Sequence, residues 1–180
     1  MTNKDYIKAK EKALADVKKD GVNLKNHPDF CDDIDVVLEA VKNETMAYGD
    51  KVVLSYASPR LRDNEEVVRT AVTEAGLSLE YASPRLKCDK EIVKLAVAEE
   101  PYSFKYAAST LRDDIEFVAE IVAISPVAFK CASSRLRTHE KSVRKLMEIN
   151  PLVAKYCEGD LLKKKLKEEL KAVKKNSKKR

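Results

Sequence analysis

The block Tyr56-Ala57-Ser58-Pro59-Arg60-Leu61 recurs as Tyr81-Ala82-Ser83-Pro84-Arg85-Leu86. It returns as Tyr106-Ala107-Ala108-Ser109-Thr110-Leu111 and as Cys131-Ala132-Ser133-Ser134-Arg135-Leu136, with a worn copy at Tyr156-Cys157-Glu158-Gly159-Asp160-Leu161. Every step is 25 residues. A fixed period of that size constrains the chain to a stacked array, because one such unit cannot bury its own apolar side. Between the blocks, Val67-Val68 and Ala71-Val72 recur as Ile92-Val93 and Ala96-Val97, then as Phe117-Val118 and Ile121-Val122, then as Ser142-Val143 and Leu146-Met147. The spacing i, i+1, i+4, i+5 lies on one stripe of a helix. An earlier copy, Pro28-Asp29-Phe30 with Val36-Val37 and Ala40-Val41, matches at an offset of 31. Six extra residues therefore fall near Asn43 to Lys51, the one loop that the repeat leaves unexplained.

The prolines mark the register. Pro101, Pro126 and Pro151 share a column with Gly76, and Pro59 and Pro84 share another with Pro28. Ser125-Pro126 and Asn150-Pro151 read as an N-cap followed by Pro in the first turn. Ser58 and Ser83 before their prolines start the turn after the shorter helix. Asp63-x-x-Glu66 and Asp113-x-x-Glu116 read as capping boxes for the longer helix. Each unit is predicted to be a short helix, a Pro/Leu turn and a helix of about three turns. The fold class is all-α, an α-solenoid of 25-residue two-helix repeats with capping helices at both ends. Residues 1–20 form the N-terminal cap, 21–162 the repeats and 163–180 a Lys-rich helix and tail. The N-terminal cap presents Tyr6, Ile7, Ala9, Ala13, Leu14 and Val17 on one face. At the other end, Leu162, Leu166, Leu170 and Val173 do the same.

Units of the form L-x-Y-A-S-x-x-L-R-D-D-x-E-V-V-x-x-A-V resemble the short helical repeat family catalogued as domain of unknown function 4116. The resemblance covers about residues 21 to 162 and departs at Cys131, Ser142 and Glu158 to Asp160. It implies a helical repeat fold and no reaction.

Two base-rich columns flank the Leu column: Arg60, Arg85, Thr110 and Arg135 on one side, and Arg62, Lys87, Arg112 and Arg137 on the other. With Leu inward, they can form a ladder facing an acidic peptide or a phosphate-bearing ligand. The alternative is local pairing with the acids just downstream, Glu65, Glu66, Asp89, Glu91, Asp113, Asp114 and Glu140. Tyr56, Tyr81, Tyr106 and Tyr156 form a second ladder, open to stacking on bases or to packing between layers.

The net charge of +5 is an average over unlike parts. Residues 160–180 hold ten Lys/Arg against three acids, leaving −2 for residues 1–159. Lys163, Lys164, Lys165, Lys167, Lys174, Lys175, Lys178, Lys179 and Arg180 form a basic tail that can bind a polyanion, nucleic acid or an anionic surface, or simply keep a cap soluble. No Gly-rich phosphate loop, G-x-S-x-G, H-E-x-x-H or Cys/His constellation is present. His27 and His139 sit at helix starts and suit capping. The chain is expected to be non-enzymatic, to need no cofactor or metal, and to bind a protein or peptide. The charged start and the absence of a long apolar run predict neither a secretory signal nor integral membrane association. Cys31, Cys88, Cys131 and Cys157, without a C-x-x-C pair, predict reduced thiols in an intracellular, cytoplasmic protein, or a nuclear one in a eukaryotic host.

Overall fold

A computed structural model describes residues 2–44, 52–160, 162–166 and 168. Among them every regular element is helical. The chain divides into two compact units, Met1–Ala107 and Ala108–Arg180.

The first unit contains α1 (Asn3–Lys19), α2 (Ile34–Lys42), α3 (Glu65–Glu74) and α4 (Lys90–Glu99). Short 3-10 helices join them, among them Gly76–Tyr81, Leu86–Cys88 and, closing the unit, Pro101–Tyr106. Helix α2 packs between α1 and α3, and α3 packs on α4. The second unit contains α5 (Ser109–Asp113), α6 (Ile115–Ile124), α7 (Ser134–Thr138) and α8 (Glu140–Ile149). The 3-10 helices Pro126–Cys131 and Pro151–Lys155 follow α6 and α8. Here α6 packs on α8.

The long helices begin at residues 65, 90, 115 and 140, in step with the sequence period. Their buried stripe is the one the spacing requires: Val67, Val68, Ala71 and Val72 in α3, and Ile92, Val93, Ala96 and Val97 in α4, all 0% exposed. Burial of each Val or Ile side chain of the stripe is worth about 1.5–3 kcal/mol, so the stripes supply the main driving force for stacking. The shorter element departs from expectation. It is a 3-10 helix, and the Pro/Leu turn after it is itself a turn of helix. Its buried positions, Gly76 and Leu79 for example, are three apart, which both helix types accommodate, so the pattern alone cannot separate them.

The capping boxes are also corrected. The N-caps of α3 and α6 are Asn64 and Asp114, one residue later than the boxes place them. Asn64 Oδ1 accepts from the Val67 amide at 3.1 Å, and Asp114 Oδ1 accepts from Glu116 at 3.0 Å. The carboxylates of Asp63 and Asp113 are therefore left for another task. Ser125 precedes its proline without a side-chain cap bond, whereas Asn150 caps the Leu152 amide at 3.1 Å. In α1 only Ala13 and Val17 of the expected face are buried, while Tyr6 and Ile7 remain 43% and 51% exposed. The Tyr6 ring still lies 5.6 Å from that of Phe30. Gly76 is required by close approach: a Cβ there would sit 2.4 Å from the Ala96 carbonyl oxygen of α4. Its column otherwise carries Pro, so the constraint belongs to the contact of the 3-10 helix Gly76–Tyr81 with α4.

Among the described residues no helix is long and apolar enough to cross a membrane. Residues 45–51 of the inserted loop lie outside the described residues, as do Lys167, Leu170, Val173, Lys174, Lys175, Lys178, Lys179 and Arg180.

Candidate functional site

The arginine column makes a recurring clamp between consecutive repeats. The Ser58 amide donates to the Cys31 carbonyl at 2.8 Å, and the Ser58 hydroxyl donates to Asp32. Arg60 then closes on the same aspartate, Nε donating to Oδ1 at 2.9 Å and Nη2 to the Asp32 carbonyl at 2.6 Å. Ser83 and Arg85 repeat the arrangement on Asp63, with Nε to Oδ1 at 3.1 Å and Nη2 to the carbonyl at 2.7 Å. In the second unit, Ser133 and Arg135 do so on Asp113, with Nε 3.0 Å from both carboxylate oxygens. The partner acid of each clamp arginine thus lies upstream, in the preceding repeat; of the acids offered for local pairing, Asp113 serves, paired with Arg135 one repeat further on. Each serine also caps the amide of the following Leu.

These contacts hold the three carboxyls below the usual carboxylate range. The Ser58 hydroxyl is the first cause for Asp32 and the Ser83 hydroxyl for Asp63, while Arg135 leads for Asp113. All three arginines remain about 61–62% exposed, so each pair is only weakly stabilising. The columns of the clamp change as a set: where the Asp column reads Cys88, the Ser and Arg columns read Ala108 and Thr110.

The second basic column lies against the 3-10 helices. Lys87 Nζ donates to the Glu80 carbonyl at 2.6 Å, Arg137 Nε to the Ala132 carbonyl at 2.9 Å, and Arg112 Nη1 to the Cys131 carbonyl at 3.5 Å. Cations at helix ends of this kind satisfy orphan carbonyls. Arg137 also pairs with Glu158, which replaces serine in the worn copy. Arg62 is half-buried with Nε unpartnered. The four ladder tyrosines are half-buried, with Lys105 Nζ 4.5 Å above the Tyr106 ring and Lys130 Nζ 5.3 Å above that of Tyr156. His27 pairs with Asp16 at 3.2 Å, and His139 is the N-cap of α8, its Nδ1 2.9 Å from Ser142 Oγ. Of the basic tail, Lys163 is half-buried and Lys164 exposed, while Lys165 pairs with Glu140 at 2.8 Å.

The sequence reading missed the ends of the long helices. In the first unit these ends line a cavity of about 240 Å3 together with Val52, Ala75, Gly76 and Leu77, and four carboxylates, Glu44, Glu74, Glu99 and Glu100, contribute to its lining. Glu74 and Glu99 are the last residues of α3 and α4, where the helix dipole disfavours a carboxylate. That misplacement is the signal by which they could have been found. Burial, followed by the nearby charges of Asp20 and Glu74, pushes the Glu44 carboxyl up. The same column in the second unit reads Ile124 and Ile149, and with Leu152 these are 42%, 46% and 58% exposed.

Repeated helical units joined by recurring Ser/Arg/Asp clamps define a helical repeat protein. The model of the family described as "Domain of unknown function (DUF4116)" matches residues 48–87, 64–112 and 89–137 in overlapping repeats, and the chain belongs to that family. No curated protein and no solved structure matches the chain.

Proposed function

We propose that this chain is a non-enzymatic interaction scaffold, an α-solenoid of 25-residue repeats with capping helices, that binds a protein or peptide along its helix ends. The observation that carries the reading is the column of large apolar side chains left in water at repeat-equivalent positions. Leu77 and Tyr102 are 40% and 44% exposed in the first unit, and Leu152 is 58% exposed in the second. Single exposed apolar residues are ordinary, but their recurrence at equivalent positions within each unit, Leu77 and Tyr102 in the first and Ile124 and Ile149 in the second, is the pattern of a docking face. On this reading Arg60, Arg85 and Arg135 are spent largely on register, and the helix ends set specificity.

The test is capture from the native cell with the tagged full chain, beside an Ile149→Glu/Leu152→Glu variant whose fold is checked by circular dichroism. A defined partner that the wild type retains and the variant loses supports the reading. An identical partner set from both, or no partner at all, overturns it. A second reading, polyanion binding through residues 160–180, rests on their local charge of +7 and would appear as binding that weakens steeply with salt.

A further inference from the structure

We infer that the carboxylate-lined cavity of the first unit docks a protein segment presenting a Lys or Arg side chain beside an aliphatic one. The inference rests on the scaffold reading above and names the chemistry of one partner. At about 240 Å3 the cavity falls below the roughly 300–1,000 Å3 of small-molecule sites, so it suits one long side chain and its neighbour. Its apolar lining is aliphatic, and Leu77 is 40% exposed.

Among the described residues that line the cavity, every charge is of one sign. Glu74 and Glu99 end α3 and α4, and Glu100 is the C-cap of α4. Neither helix has a basic residue in its last turn, so the negative dipole ends add to the carboxylates. Among the described residues none of Glu44, Glu74, Glu99 and Glu100 pairs with a cation. Glu44 Oε1 accepts from the Val53 amide at 3.0 Å, but its Oε2 is buried without a partner. An ammonium or guanidinium entering the cavity would offset the carboxylates that line it and both helix ends. The aliphatic neighbour would cover Leu77. The equivalent helix ends of the second unit, Ile124 and Ile149, offer no carboxylate, so the preference for a cation belongs to the first unit alone.

The experiment is a fluorescence titration of the full chain with a labelled peptide alternating Lys and Leu. Two control peptides carry Glu in place of Lys and Ser in place of Leu. Only the Lys/Leu peptide is expected to bind, and Glu74→Gln/Glu99→Gln should weaken it at least about tenfold, on the order of 1.4 kcal/mol. Thermal stability of that variant should be unchanged or higher, because the substitutions relieve like charge at the helix ends, whereas a structural role would lower it. No binding of the Lys/Leu peptide, equal binding by the variant, or equal binding of the Ser-containing peptide overturns the inference. So does Ca2+ stabilising the wild type but not the variant in the absence of peptide binding, which would assign the carboxylates to a metal ion. Capture that depends on Ile149 and Leu152 without peptide binding overturns this inference alone; loss of both overturns the scaffold reading as well.

Discussion

The two units are built on one repeat yet finish it differently. Both bury the same helical stripe, and both close a repeat on its predecessor with a Ser/Arg/Asp clamp, Ser83 and Arg85 on Asp63 in the first and Ser133 and Arg135 on Asp113 in the second. At the ends of the long helices they part: Glu74 and Glu99 in the first unit, Ile124 and Ile149 in the second. Inside the 3-10 helices they part again. Ser78 and Ser103 are fully buried in the first unit, where the second has Ala128 and Val153. Positions that carry stacking are therefore held alike, while positions at the rim vary in charge and apolarity. A repeat fold separates these duties because each column meets the same surroundings in every copy.

The largest expected effect tests the shared part. Phe104 and Phe129 occupy one column, and both are 0% exposed. Phe104→Ala and Phe129→Ala should each cost about 3–5 kcal/mol in urea unfolding, the range for emptying a buried aromatic site. Unequal losses, one near zero, would mean that the two cores are not equivalent.

How far the sequence carried can be seen in the same columns. The stripes Val67-Val68-Ala71-Val72 and Ile92-Val93-Ala96-Val97 were legible because apolar spacing reports helix period directly. The 3-10 form of Gly76–Tyr81 was not, since its buried positions suit either helix type. Asp63 looked like an N-cap because caps and interrepeat acceptors use the same residue type, and only the fold shows Asn64 one place on taking that role. The arginine column was visible, but its partners, Asp32 and Asp63, lie 28 and 22 residues upstream. Glu74 and Glu99 belong to no motif in the sequence; their position against the helix dipole gains meaning only once a cavity is seen beside them.

A smaller effect sharpens the difference inside the 3-10 helices. The Ser78 and Ser103 hydroxyls have no hydrogen-bond partner. Ser78→Ala and Ser103→Ala should leave stability unchanged or raise it by up to about 1 kcal/mol, because an unpartnered buried hydroxyl loses its water without compensation. A clear loss in thermal unfolding would show that these hydroxyls carry bonds after all.

The smallest expected effect concerns the clamps. Asp63 and Asp113 have carboxyls lowered in the folded chain, so the contribution of the clamp is present above the unfolded Asp value of about 3.9 and is lost as pH falls through the lower folded value. Arg85→Ala and Arg135→Ala should therefore lower Tm slightly at neutral pH, and the gap from wild type should close as the solution is acidified. A gap that is constant with pH would mean that the arginines act by packing rather than through the carboxylates.

The central claim is that helix-end columns, not the repeat frame, decide what each unit binds. The direct measurement is the affinity of the Lys/Leu peptide for a chain carrying Glu74→Ile and Glu99→Ile, which writes the second unit's column into the first. The fold should persist and the peptide should be lost. Undiminished affinity in the folded variant would contradict the account.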